Sequence, residues 1–173
     1  AGFVSLCYDG KPFFAPDHPV GAGTVSNMTG GAGSPWFLLD TRRALKPLIF
    51  QKRKDYAFTN MTKPDDELVF MSKQYRYGVD ARAACGYGFW QTAYGSKAAL
   101  DSAALGNAQE AMMAFKSDEG RPLNIRPNLL VVGPSNATEA KKLLNAELIL
   151  EGGAAVSNIH VGSLTLLVSP YLP

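Results

Sequence analysis

Asp17 and His18 are neighbours in the run Asp9-Gly-Lys-Pro-Phe-Phe-Ala-Pro-Asp-His-Pro-Val20. A carboxylate beside an imidazole is the raw material of acid–base or metal chemistry. A catalytic base also needs a third group to orient it, however, and adjacent residues on an extended chain point to opposite sides. Between two prolines, His18 therefore reads as a loop histidine bonded to backbone. His160 precedes Val161-Gly162 close to a strand and reads as a packed or surface histidine. Asp65-Asp66-Glu67 places three carboxylates in a row. A hard cation asks for an Asp-x-Asp pattern with a glycine that bends the chain, so this run reads as a solvated turn that opens a strand.

Other reactive patterns are weaker. Cys7 and Cys85 lie far apart, outside any Cys-x-x-Cys pair, and are expected to be buried free thiols. Gly86-Tyr-Gly88 lacks the third glycine of a dinucleotide fingerprint, and Ser34, Ser96 and Ser135 sit in no Gly-x-Ser-x-Gly elbow. The expectation is a chain with no catalytic residue, cofactor or metal site. One basic cluster stands out: Lys52-Arg53-Lys54, with Arg42, Arg43 and Lys46 on the preceding connection. Such a cluster can meet phosphate or an acidic neighbouring subunit, and on a hairpin it also keeps an edge strand from pairing promiscuously.

Three function classes follow from the residues: an enzyme using Asp17, His18 and His160; a β-rich nucleic-acid-binding module using Arg42, Arg43, Lys52, Arg53 and Lys54; and a structural subunit. The chain has 173 residues, 46% hydrophobic and 18% charged, enough for one real core or two small lobes. A net charge of +2 is too small for affinity spread over the whole surface, so contact with nucleic acid must be local. No apolar run approaches the roughly 20 residues of a membrane helix. The opening Ala-Gly-Phe-Val-Ser-Leu-Cys-Tyr reads as the tail of an apolar element, which suggests a fragment.

The elements that would position these residues alternate in texture. Residues 1 to 8 read as the last turns of a helix ended by Asp9-Gly10, and Pro12, Pro16 and Pro19 argue against regular structure as far as Val20. Residues 21 to 35, with five glycines, read as a mobile loop or hairpin arm. Trp36-Phe-Leu-Leu-Asp40 and Leu48-Ile-Phe-Gln-Lys-Arg53 read as two paired strands, residues 67 to 77 as a third and residues 87 to 94 as a fourth, an antiparallel sheet in all. Leu105, Ala108, Met112 and Phe115 give residues 100 to 117 helical periodicity. A strand at Asn128-Leu-Leu-Val-Val132 and a helix over residues 137 to 146 follow, the helix with Asn136 and Glu139 at capping-box spacing. A Gly152-Gly153 turn then leads to a last strand over residues 164 to 168.

Taken in order, Cys7-Tyr-Asp-Gly-Lys-Pro-Phe-Phe-Ala-Pro-Asp-His-Pro-Val20, Thr24-Val-Ser-Asn-Met28, the Trp36 to Gln51 stretch, Tyr77-Gly-Val-Asp-Ala-Arg82, Gly86-Tyr-Gly-Phe-Trp90 and Ile125-Arg-Pro-Asn-Leu-Leu-Val-Val132 resemble the C-terminal half of the Mu-like prophage major head subunit family. The resemblance implies an α+β chain of the Hong Kong 97-type capsid fold. Within it, residues 1–20 would be the end of the spine helix and a linker, residues 21–98 a β-rich peripheral or hairpin region, and residues 99–173 an α/β axial-type lobe. It also implies a self-assembling subunit. Its partners would be copies of itself in pentamers and hexamers, scaffold, protease and head-completion proteins, and packaged DNA held without sequence preference. Its place would be the virion, and the host cytoplasm during assembly. On that reading Asp17-His18-Pro19 is a rigid corner, and Phe13 and Phe14 are anchors.

Overall fold

The structure, a computed structural model, describes residues 6–151 and 154–173. Its strands and helices are β1 (His18–Val20), β2 (Gly23–Val25), β3 (Met28–Thr29), β4 (Trp36–Leu39), β5 (Leu48–Met61), α1 (Glu67–Ser72), β6 (Arg76–Tyr87), β7 (Ala93–Ser96), α2 (Ser102–Met113), β8 (Leu129–Val132), α3 (Ala137–Asn145), β9 (Leu148–Glu151), β10 (Ala154–Ser157) and β11 (Thr165–Val168). They form two compact units, Leu48–Gly86 and the remainder of the chain. No described helix is long and apolar enough to cross a membrane.

The larger unit is organised by a five-stranded sheet in the order β11-β8-β4-β7-β3. β4 lies at its centre, antiparallel to both β7 and β8, while β11 runs parallel to β8 and β3 parallel to β7. The expected pairing of 36–40 with 48–53 therefore does not form. Trp36-Phe-Leu-Leu39 is apolar at every position, which suits a strand buried on both faces, whereas the charges of Lys52, Arg53 and Lys54 cannot enter such a sheet. The sheet thus joins strands from both sides of the expected break at residue 98.

Helices complete the core. Asp101 caps α2 by accepting from the Ala104 N–H at 2.7 Å, and Leu105, Ala108 and Met112 are buried along one stripe, with Phe115 buried just beyond. Contacts of α2 with β7 and of α3 with β11 close the sheet. Trp36, Trp90, Leu38, Leu105, Met112 and Leu130 are almost wholly withdrawn from water, each contributing on the order of 1.5–3 kcal/mol. In α3, Ala140, Leu143 and Leu144 face this core as the periodicity requires. Asn136 is not a side-chain cap: it sits in a helical conformation at the end of a 3-10 turn started by Pro134, and its amide donates to the Ser34 carbonyl at 3.0 Å.

Residues 6–35 are more ordered than their prolines and glycines suggest. The expected helix tail over residues 1 to 5 lies outside the described residues. Leu6 bridges Pro12 in antiparallel fashion across a turn at Gly10, so the chain is not helical there. β1 and β2 form a hairpin with a two-residue loop, and Gly21 at φ +57 holds the first loop position, the type II′ arrangement. Pro19 is tolerated in β1 because it pairs with Thr24, one step from the closing Val20–Gly23 pair, where the ladder asks for no N–H. β3 then adds to the edge of the large sheet.

The smaller unit is a long ribbon of β5 and β6. Its strands are antiparallel, since Lys54 meets Asp80 while Phe58, further along β5, meets the earlier Tyr77. The expected third strand at residues 67 to 77 is divided: α1 occupies its first half and β6 begins at Arg76. Glu67 in the first turn favours the helix, and Lys73 in the left-handed region ends it, its N–H donating to the Val69 carbonyl and that of Gln74 to the Leu68 carbonyl. The β9–β10 hairpin has no counterpart among the expected elements, and the expected Gly152-Gly153 turn lies outside the described residues.

Candidate functional site

The Asp17-His18 pair is pulled apart by its neighbours. Asp17 pairs with Lys11 at the surface, while His18 is fully buried with Nδ1 2.6 Å from Asp9 Oδ2. The imidazole lies flat on the Trp90 indole, centroids 4.1 Å apart and planes within 7°. Burial alone would raise the Asp9 carboxyl, but the hydrogen bond from His18, with help from the Lys11 N–H, outweighs it and holds the group below its ordinary value. An ionised Asp9 makes Nδ1 of His18 the donor. His18 Nε2 and Trp90 Nε1 are buried without a hydrogen-bond partner among the described residues.

A histidine with no path to solvent cannot take a proton from a substrate. What this arrangement can do is clamp: Asp9 belongs to the Leu6–Pro12 turn, His18 opens β1, and Trp90 starts the 3-10 turn before β7. Close by, Cys7 is buried, its thiol pushed up by desolvation, and donates to the Gly88 carbonyl at 3.6 Å. Phe13 stacks on Tyr87 at 4.6 Å, and Phe14 packs against Phe37 at 5.0 Å.

The remaining candidates are dispersed. His160 is buried and Nε2 lies 3.2 Å from the Ser102 carbonyl at the start of α2, so it is packed and has no contact with His18. Asp66 accepts from the Lys63 N–H at 2.9 Å and ends the turn before α1, and Glu67 begins that helix. Cys85, expected buried, is exposed.

The basic cluster is divided between the two units. Arg42 and Arg43 converge on Asp40, whose side chain is 3% exposed, at 3.4 and 3.5 Å. Their guanidinium groups also donate to the carbonyls of Arg126, Leu123 and Asn124, and Lys46 donates to the Thr41 carbonyl. Arg42 and Arg43 thereby staple the 123–126 segment to the end of β4. On the ribbon, Lys52 pairs with Asp55 at 2.7 Å, Lys54 pairs with Asp80, and Arg53 donates to Gln51 at 3.0 Å.

Several structural polar residues carry no sequence motif. Asn27 is fully buried, its Oδ1 accepting from the Ala15 N–H at 3.0 Å and its Nδ2 donating to the Phe13 carbonyl at 2.8 Å. Asn158 donates to the carbonyls of Leu143 and Ala146, both at 2.7 Å, at the end of α3. Asp9 was within reach of reading, since it lies in the same proline-rich run as His18.

The buried clamp names no function, and the family follows from likeness to known proteins. The family described as Mu-like prophage major head subunit gpT matches residues 1–172. The Mu-like prophage FluMu major head subunit of Haemophilus influenzae is 45% identical over 185 residues, covering 99% of this chain and 60% of that one. The major capsid protein of Escherichia phage Mu is 39% identical over 182 residues, with the same coverage of 99% and 60%. The chain thus spans about 60% of the length of these relatives. Among solved structures, the procapsid of bacteriophage JBD30 superposes with a TM-score of 0.79 at 45% identity, over 98% of this chain and 59% of that one. The JBD30 capsid decorated with minor capsid protein trimers gives 0.78 at 27% identity, over 100% and 59%. The α+β fold of this chain is therefore the phage capsid fold of the Hong Kong 97 type. From its first residues to its last strand, the chain belongs to the Mu-like prophage major head subunit family.

Proposed function

We propose that this chain builds the shell of a Mu-like phage or prophage head by repeated contacts with copies of itself, in pentamers and hexamers, and that no residue of it does chemistry. The match to the head-subunit family over residues 1–172 carries this reading. Its support from the geometry is that the histidine nearest to a catalytic motif is sealed between Asp9 and Trp90. Heterologous contacts that close into rings need only modest individual strength, because each subunit is held by several neighbours at once. In that assembly residues 1–20 act as linker, and the peripheral and hairpin region over 21–98 and the axial-type lobe over 99–173 share the five-stranded sheet, with Leu48–Gly86 as the hairpin. Scaffold, protease and head-completion proteins take part in assembly in the host cytoplasm, and the ribbon side chains Lys52, Arg53 and Lys54 face a neighbouring subunit or packaged DNA, whereas Arg42, Arg43 and Lys46 are engaged within the chain.

The test is electron microscopy of the full-length subunit co-expressed with its head-assembly partners. Shells or capsomers are the expected result. Protein that stays monomeric under those conditions overturns the reading, as does hydrolytic or metal-dependent turnover that is lost in a folded His18→Ala variant.

A further inference from the structure

We propose that the β5–β6 ribbon carries an aromatic docking face that a second copy of this chain covers in the assembled head, an inference that rests on the head-subunit reading. Alternate residues of a strand share a side, so Phe50, Tyr56 and Phe58 lie on one side of β5 and Tyr77 and Val79 on one side of β6. The stacking of Phe58 on Tyr77, centroids 6.0 Å apart and planes 21° apart, puts both sets on the same face. These five side chains are 64–80% exposed.

The size of the face decides what it is for. An aromatic side chain offers about 150–250 Å², so four rings exposed to about two thirds present roughly 400–700 Å². The largest apolar patch on a typical monomer is about 300–600 Å². One partner in a standard interface contributes about 800 Å², a little over half of it apolar. The ribbon face therefore matches the apolar part of one side of a specific interface. A two-stranded ribbon is marginally stable by itself in water, which adds a reason for it to be covered.

The charges fit burial of the face against protein. Asp80 alternates with Val79 and so lies on the other side of β6, which keeps its ion pair with Lys54 off the aromatic face, and Lys52 already has a counter-ion in Asp55, so covering the face strands no unpaired charge. Nucleic acid would instead ask for free cations beside the rings. Every copy displays the same face, so its partner must recur with the subunit, and the chain itself does so in any shell it builds; a decorating protein such as the minor capsid protein trimers on the JBD30 capsid is the other occupant that the test separates. The contact joins two different surfaces, the kind that propagates around a ring.

The test uses the full-length subunit with the photocrosslinker p-benzoylphenylalanine in place of Phe58, assembled from an equal mixture of 15N-labelled and unlabelled protein. Cross-links between differently labelled copies, about half of all links, are expected in shells. Links confined to one label, or to a different protein, overturn the proposal. A Tyr56→Ser, Phe58→Ser double variant should keep the near-ultraviolet signal of its folded tryptophans and form shells at least tenfold less; undiminished shells also overturn it. Unmodified protein that forms no shells refutes the head-subunit reading instead, whereas shells without inter-copy links at position 58 refute this face alone. Should the double variant fail to fold, the cross-link pattern decides.

Discussion

Asp9 Oδ2 lies 2.6 Å from Nδ1 of the fully buried His18, and this contact turns a reactive-looking sequence into a joint. Replacing the carboxylate by an amide leaves the buried imidazole with a neutral acceptor in place of a charged one. Asp9→Asn is expected to lower the unfolding free energy by about 1–3 kcal/mol, measured by chemical denaturation at neutral pH. A change within about 0.5 kcal/mol would show that the pair does no structural work.

The same contact sets a pH dependence. The Asp9 carboxyl is held below its ordinary value in the folded chain, so its contribution is complete above the unfolded value of about 3.9 and fades as pH falls through the lower folded value. Melting temperatures measured from pH 6 down to pH 2 should converge for wild type and Asp9→Asn at the acid end. Curves that stay parallel throughout contradict this.

Asn27 is the polar pin of the segment before β3, with Phe13 and Ala15 as its side-chain partners. Asn27→Leu leaves a buried carbonyl and a buried N–H unpaired, at about 1–3 kcal/mol each. Hydrogen exchange should then quicken at Ala15 while β8 keeps its protection.

Gly88 and Gly86 make a matched pair. A Cβ on Gly88 would drive into the backbone carbonyl of Lys46, and one on Gly86 would meet nothing within 4 Å. Gly88→Ala is expected to cost about 1–3 kcal/mol or more and Gly86→Ala less than about 0.5 kcal/mol, compared by thermal unfolding. Equal effects would mean that the chain does not approach Gly88 so closely.

The two halves of the basic cluster should separate by experiment. Arg43→Glu places a carboxylate beside buried Asp40 and against two backbone carbonyls, so it should lower the melting temperature by several degrees. Lys52→Glu with Arg53→Glu lies on an exposed strand and should leave it nearly unchanged. Binding of short DNA that weakens in the second variant alone would assign the ribbon charges to packaging.

Where a local pattern sets the outcome, sequence reading matched the fold. The stripe of Leu105, Ala108, Met112 and Phe115 specifies a helix face, the run of Leu129 to Val132 specifies a buried strand, and the ordered motifs specify the family. All three come from short-range periodicity or from residue order. Residues 67 to 72 went to a helix because a left-handed Lys73 and the acidic first turn outweigh β-prone side chains, a balance that apolar texture does not report. Strand partners were out of reach for the same reason: β4 pairs with β7 and β8, whose residues lie over fifty positions away, and closing such loops is decided by the whole core. The role of His18 belongs to this second kind. Its sequence neighbour Asp17 faces Lys11, while Asp9, nine residues back, and Trp90, far along the chain, enclose it. The sequence by itself determined the family and the elements with a clear period, such as α2 and β8; tertiary packing decided that a histidine beside an aspartate is sealed in the core, because only the folded chain brings a carboxylate and an indole around the ring and shuts out water.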